Sequence, residues 1–456
     1  MLSSTSSSTG NDSKALSPTS VIGNLGRIID TPAHKPHDAC IEQLRALALE
    51  EGVTDATQLE RVNRIGHGAF ATVELYSRHV GVTRRSRAPS VSSGQPDTAS
   101  LPTSPRARSW ASRMHIKVPV LSARRSSDPT QGVMALPENV MAVKRMGAAA
   151  AHITTPSPFS RDGSPKIVRS PTPGVAASTE KLFLIESVLH RVLVHDNIVR
   201  HRGMVEFAPS REGALPELAI AMEYMGGGTL KARIDSKKHS PAQGVQWLIG
   251  AARGLAHMHA HGVAHRDFKP ENVLLTTDMQ VAKVADFGLS RPLLNQDLMA
   301  DGAAPRKMVI GGGDLTGEVG TARYMAPEMI HGDDYSVAVD VYSFGIVSWE
   351  VLSSKTAYKD TYFTGEIIMK AVAEGKLRPP IPPAWPPRVA DLLRRCWTTK
   401  AADRPTMAQV VDALGILLVD AEKDPGTWRG LPRAPNSSSS FNLSSRPALS
   451  FRRGTA

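Results

Sequence analysis

"HRDFKPENVLL", residues 265–275, places Asp267, Lys269 and Asn272 just ahead of the apolar run Val273, Leu274 and Leu275. Fixing an acid, a base and an amide in one short loop opposes both chain entropy and solvation, so a soluble chain gains nothing from it unless the groups act together. The apolar run reads as a short buried strand that holds the polar cluster in place.

Working outward, the flanking segments fall into an order. On the C-terminal side, 245–261, 338–352, 388–397 and 407–421 carry helical spacing. On the N-terminal side, 59–65 and 72–76 alternate as strands about "GHGAF", a glycine-turned hairpin. Residues 140–146 ("VMAVKRM") read as another strand, and 218–224 as a buried one. Between them, Leu182, Ile185, Leu189 and Val192 place a helix over 179–194. A small strand-rich lobe thus precedes a larger helical one.

Composition limits what surrounds that core. The chain has 456 residues, 41% of them hydrophobic and 5% aromatic, so part of it is expected to stay unfolded. The formal charge of +11 belongs to appendages. Segment 77–137 holds ten Arg and Lys against Asp97 and Asp128, and the tail from 424 holds five Arg against Asp424. Both are rich in Ser, Pro and Gly, which cannot offset chain entropy by burial. The expected organisation is an unstructured Ser/Thr-rich stretch at 1–37, a helical lead-in at 38–58, a folded domain at 59–422 interrupted by inserts at 77–137 and 147–178, and an unstructured tail at 423–456. Cys40 and Cys396 offer neither ligand spacing nor a disulfide framework, in keeping with a reducing compartment. The first twenty residues lack a basic region leading into an apolar run, and no stretch approaches the ~18 apolar residues of a membrane span. The expected location is cytoplasmic, with nuclear entry through the arginine clusters left open.

The opening stretch resembles the catalytic loop of the protein kinases. The resemblance runs in family order from residue 59 to 421: "GHGAFATV" from Gly66, "MAVK" ending at Lys144, Glu186 nine residues before "HDNIV", then "HRD", "DFG" at 286–288, "APE" at 326–328, Asp340 in "DVYSFGIVSWEVL" and Arg404 in "CWTTKAADRPT". It implies an α+β, two-lobed kinase fold, with a β-rich N-lobe bearing one regulatory helix and a mainly helical C-lobe. "VADFGLSR", "VGTARYMAPEM" and "CW" followed by "RPT" resemble the tyrosine-kinase-like group, whose members mostly phosphorylate Ser and Thr.

The resemblance also implies roles. Phosphoryl transfer needs positioning and charge neutralisation more than covalent chemistry. Gly66 and Gly68 let backbone N–H groups approach the phosphates of ATP, and Ala71 stands where the family carries a third glycine. Lys144 brings positive charge to the α and β phosphates, and Glu186 orients it. Asn272 and Asp286 offer oxygens to Mg²⁺. Ile65, His67, Ala69, Val73, Ala142 and Leu274 surround the nucleotide, Met222 gates the back of its pocket, and Glu223 and Met225 offer main-chain groups to adenine. Asp267 orients the substrate hydroxyl, while Lys269 neutralises the transferred group. "HRDxKxxN" and Thr321 are similar to Ser/Thr-specific members. Glu328, Arg404 and Asp340 are expected to be structural. His190 and His201 fall where apolar residues normally stack behind Phe287, and both are expected as satisfied, half-buried histidines.

Other features concern control and partners. The implied partners are protein substrates. "RRSSDP" spaces Arg124, Ser127 and Pro129 like a phosphoserine motif bound by 14-3-3 proteins, and Ser157, Ser164, Ser170 and Thr172 are sites for an upstream proline-directed kinase. Thr316, then Ser290, are the expected phosphate acceptors of the segment between Asp286 and Glu328, with Arg266 placed to receive that phosphate. Only Trp110 interleaves the arginines of the first insert, so nucleic acid is not an expected partner. The alternative function is a pseudokinase or scaffold, which requires a damaged catalytic set; Lys144, Glu186, Asp267, Asn272 and Asp286 are all present.

Overall fold

The computed structural model describes residues 17–29, 37–50, 52–67, 71–78, 140–146, 173–209, 216–293, 322–359, 365–423 and 428. The chain begins with helices α1 (Pro18–Ile29) and α2 (His37–Ala48). It continues through β1 (Val53–Asp55), β2 (Leu59–His67), β3 (Ala71–Arg78), β4 (Val140–Met146), α3 (Pro173–Val192), β5 (His201–Phe207) and β6 (Glu217–Glu223). These strands form a six-stranded sheet in the order β1-β5-β6-β4-β3-β2, antiparallel except for β1 beside β5.

Strand alternation decides what faces the cleft. Ala142 and Lys144 are two apart on β4 and therefore share a face, and Ala142 pairs in register with Met222 of β6. Together with Ile65, Val73, Met225 and Leu274, these two apolar residues belong to one hydrophobic cluster between the lobes.

The large lobe follows: β7 (Gly228–Thr229), α4 (Leu230–Ser236), α5 (Pro241–Ala260), β8 (Val263–Ala264), β9 (Val273–Leu275), β10 (Ala282–Val284) and β11 (Arg291–Pro292), then α6 (Pro327–His331), α7 (Ala338–Ser353), α8 (Gly365–Ala373), α9 (Pro387–Cys396) and α10 (Met407–Lys423). Helix starts obey local chemistry. Thr229 and Ser240 cap α4 and α5 by accepting the N–H groups of Ala232 and Gln243, and Pro241 opens α5 where its missing N–H costs nothing. Helix α7 is buried on all sides from Val339 to Leu352, which makes it the axis of the lobe. Gly254 on α5 permits a close approach of the segment after α3: a Cβ there would lie 2.5 Å from the Asn197 carbonyl oxygen. That approach is used, because Asn197 Nδ2 donates to the Ala282 carbonyl, and Val199 N–H to the Val284 carbonyl, fastening the small lobe to β10.

Several boundaries differ from the sequence expectations. The stretch 1–37 was expected to be unstructured, yet 18–29 forms α1, with Val21, Ile22 and Leu25 buried. Its apolar residues follow helical spacing, a signal diluted by the surrounding Ser and Thr. The lead-in is helical only to Ala48 and then gives β1 and a 3-10 turn (Ala56–Gln58), so the sheet starts before residue 59. Helix α3 begins at Pro173, inside the stretch assigned to the second insert, and β3 runs to Arg78, inside the first. The remainder of both inserts and of the tail lies outside the described residues, as do Gly68, Ala69, Ser127, Ser157, Ser164, Ser170, Thr172, Thr316 and Thr321.

Candidate active site

Lys144, on β4, the first strand after the hairpin, projects between two carboxylates. Its Nζ donates to Glu186 Oε1 on α3 at 2.6 Å and to Asp286 Oδ1 after β10 at 2.9 Å. Burial alone would lower the pKa of this ammonium, but Asp286 and Glu186 outweigh it and raise it. Lys144 in turn holds the Asp286 carboxyl down to about 2. Glu186 is raised, because burial disfavours its charge more than Lys144 stabilises it. The three side chains form a unit in which each charge fixes the others.

The catalytic loop is braced from below. Asp340, fully buried on α7, accepts the N–H groups of His265 and Arg266, both at 2.8 Å, and the Nε2–H of His259 at 2.8 Å. Burial would raise the pKa of Asp340, yet His259 and His265 together outweigh it and lower it. Arg266 and Asp286 both hold positive φ, 69° and 66°, conformations that need such anchoring in residues bearing a Cβ. The 3-10 turn Pro270–Asn272 then leads into β9, whose Val273 and Leu275 are wholly buried.

At the loop's centre, Lys269 Nζ donates to Asp267 Oδ2 at 2.7 Å. Asn272 Nδ2 donates to the same oxygen at 3.1 Å and to the Asp267 carbonyl at 2.8 Å. Among the described residues both side-chain donors converge on Oδ2, which leaves Oδ1 to accept from an incoming hydroxyl. With its amide nitrogen so engaged, Asn272 has its amide oxygen left for a cation.

Asp286, whose side chain is 45% exposed, and Asn272 each carry a hard oxygen that could serve a cation. Mg²⁺ takes few protein oxygens and completes its shell with water and phosphate, so this donor set fits that ion. Ile65, Val73, Ala142, Met222, Met225 and Leu274 belong to one apolar cluster. Gly66 and His67 lie on β2; Gly68 and Ala69 are outside the described residues. At the hinge the Glu223 N–H is committed to the Arg200 carbonyl, and its carboxylate accepts from Lys283 Nζ at 2.6 Å and from the Arg200 N–H. The main-chain contribution expected of Glu223 therefore excludes its N–H.

Two histidines depart from expectation. A column of rings runs His201, His190, Phe287 and His265, with successive centroids 5.5, 5.3 and 5.9 Å apart. His190 is buried rather than half-buried, and its Nε2 meets the Val199 carbonyl. His201 Nε2 is buried with no hydrogen-bond partner among the described residues, so this histidine is not satisfied. Burial pushes His190 down to about 4 and His201 to about 3, and both rings are neutral at pH 7. Ser290, the second expected phosphate acceptor, is also buried and donates to the His265 carbonyl, which removes it from reach of another enzyme. Sequence inspection missed His259; its only signal was its place on the helix leading into "HRD".

This two-lobed architecture and the arrangement of its cleft define a class, and the sequence comparisons agree: the chain belongs to the protein kinase family, whose domain model matches residues 170–414, more than half the chain. The match starts after Lys144, so the hairpin and that lysine are tied to the domain by geometry. The chain is similar to mitogen-activated protein kinase kinase kinase 12 of Rattus norvegicus, 32% identical over 52% of this chain and 24% of the relative. It is 34% identical to serine/threonine/tyrosine-protein kinase HT1 of Arabidopsis thaliana, over 55% of this chain and 58% of the relative. Serine/threonine-protein kinase STY17 of the same plant is 32% identical over 50% of this chain and 36% of its own length. The matches thus span less than two thirds of each of these relatives. The names are consistent with a tyrosine-kinase-like member of Ser/Thr type.

Proposed function

We propose that the chain is an ATP-dependent protein serine/threonine kinase. The observation that carries this is the convergence of Lys144, Glu186 and Asp286 on one side of the cleft with Asp267, Lys269 and Asn272 on the other. The nucleotide base lies in the apolar cluster around Ala142 and Met222, and Lys144 holds the phosphates at a charge fixed by Glu186. Asp267 Oδ1 accepts the hydrogen of the substrate hydroxyl and aims its oxygen in line, while Lys269 neutralises the group in transit. Asp286 and Asn272 would hold Mg²⁺, which would supply further neutralisation of phosphate charge. The test is transfer of label from radioactive ATP to generic protein substrates, followed by phosphoamino-acid analysis. Labelled phosphoserine and phosphothreonine are expected; transfer unchanged in Asp267→Asn overturns the assignment.

Control by phosphorylation after Asp286 is part of the same proposal. Arg266 and Arg291 lie together, and buried Arg291 Nη1 and Arg323 Nε have no hydrogen-bond partner among the described residues. A phosphate on Thr316 would satisfy such groups. Docking of 14-3-3 proteins on phosphorylated Ser127, an upstream proline-directed kinase and a cytoplasmic location with nuclear entry are carried by the sequence motifs. No described helix is long and apolar enough to cross a membrane.

A further inference from the structure

Helices α1 and α2 both pack against α3, the helix that carries Glu186. Val21, Ile22 and Leu25 of α1 and Ile41, Leu44 and Ala48 of α2 share one buried cluster with Leu184, Ile185 and Val188 of α3. Partway along α3, Arg45 donates through Nε and Nη2 to Glu180 Oε1, the former at 2.7 Å. In its last turn, Arg191 Nη2 donates to Glu50 Oε2 at 2.8 Å. Glu186 lies between these two attachments on the same helix. Helix α1 also packs on β11, whose Arg291 pairs with Ala264 immediately before "HRD". The N-terminal pair therefore touches both the helix carrying Glu186 and the strand that follows the DFG turn.

A helix whose inward face makes an ion pair with the reacting lobe must be held in rotation and depth, since a displacement of one turn is about 5.4 Å and would break the pair. We propose that α1 and α2 form a built-in clamp for α3, in which Arg45 is a positioning residue: through Glu180 it sets α3 so that Glu186 reaches Lys144. This rests on the kinase function proposed above. The Arg45 and Glu180 side chains are 29% and 26% exposed, so their bond adds little to global stability. Its effect falls on the alignment of α3.

The test uses the full chain and a charge exchange. Arg45→Glu and Glu180→Arg are each expected to lower kcat about five- to tenfold, and the double variant to recover most of that loss. The melting temperature and the KM for protein substrate should stay near wild type in all three. Glu42, 3.8 Å from the same guanidinium and exposed, provides the control: Glu42→Gln should change nothing. Independently of activity, hydrogen exchange at residues 180–192 should quicken in Leu25→Asp while that of α7 is unchanged. Unaltered kcat in the single variants, no recovery in the double variant, or unaltered exchange in α3 would each overturn the clamp. A wild-type chain that transfers no phosphate would instead overturn the kinase assignment, and the exchange measurement would still decide the clamp.

Discussion

Lys144 on the small lobe donates to Asp286 of the large lobe at 2.9 Å, so a single ammonium group joins the two halves of the cleft. Its second bond, to Glu186, draws α3 into the same contact. Replacing it by Lys144→Met leaves two carboxylates facing each other without a cation. Phosphotransfer should fall at least about a hundredfold, more than nucleotide binding weakens. Label transfer and calorimetric nucleotide titration check the two separately.

Asp267 differs in having no such bridging duty. Asp267→Asn keeps the size of the side chain and loses its basicity. A drop in kcat of about a hundredfold or more, with KM values and melting temperature little altered, is the expected outcome. Steady-state kinetics beside a thermal scan will show it.

The Arg404 guanidinium, fully buried, grips Glu328 at 2.6 and 2.8 Å and also donates to the Ala338, Thr398 and Thr399 carbonyls. Removing the charge of one partner strands the other in a medium of low polarity. Glu328→Gln should cost about 3–5 kcal/mol, measured by urea unfolding. A loss below about 1 kcal/mol would place the pair among weak surface contacts instead.

The histidine column makes stability depend on pH. In the unfolded chain imidazoles protonate near 6.5, whereas folded His190 does so only near 4 and His201 near 3 because burial opposes their charge. Between those values the unfolded state binds more protons, so the contribution of these two histidines to stability falls as pH drops below about 6.5 and is constant above it. The slope approaches ~1.4 kcal/mol per pH unit for each histidine. Denaturant curves at pH 7.5, 6.0 and 5.0 compared between wild type and His190→Leu should show it, the variant's slope being shallower by up to ~1.4 kcal/mol per pH unit.

Thr316→Ala should reduce activity several-fold in cell-derived protein while leaving the unfolding curve intact. Equal turnover before and after phosphatase treatment of the wild-type chain would contradict control by that residue.

How much of this was visible beforehand depended on the range of each signal. "HRD", "DFG" and Lys144 are legible because their chemistry needs those residue types at short spacing, and α5 and α7 because long helices repeat their period. The pairing of Ala142 with Met222 is a matter of sheet register, yet both belonged to recognisable strands. By contrast, β1 is three residues long and acquires its conformation from β5, so no local pattern marks it. Helix α1 was hidden by composition, since Val21, Ile22 and Leu25 stand among serines and threonines. The burial of Ser290 and the role of His259 depend on α7 and the catalytic loop meeting from distant parts of the chain, which periodicity does not report.

His201 stands opposite Met222 in the sheet, with a buried ring nitrogen that has no partner among the described residues. A polar ligand group that reached this nitrogen would meet an unsatisfied partner instead of an aliphatic one. Matching that nitrogen recovers a desolvation penalty the folded chain already carries, whereas the same group aimed at an aliphatic wall would lose hydration for no return.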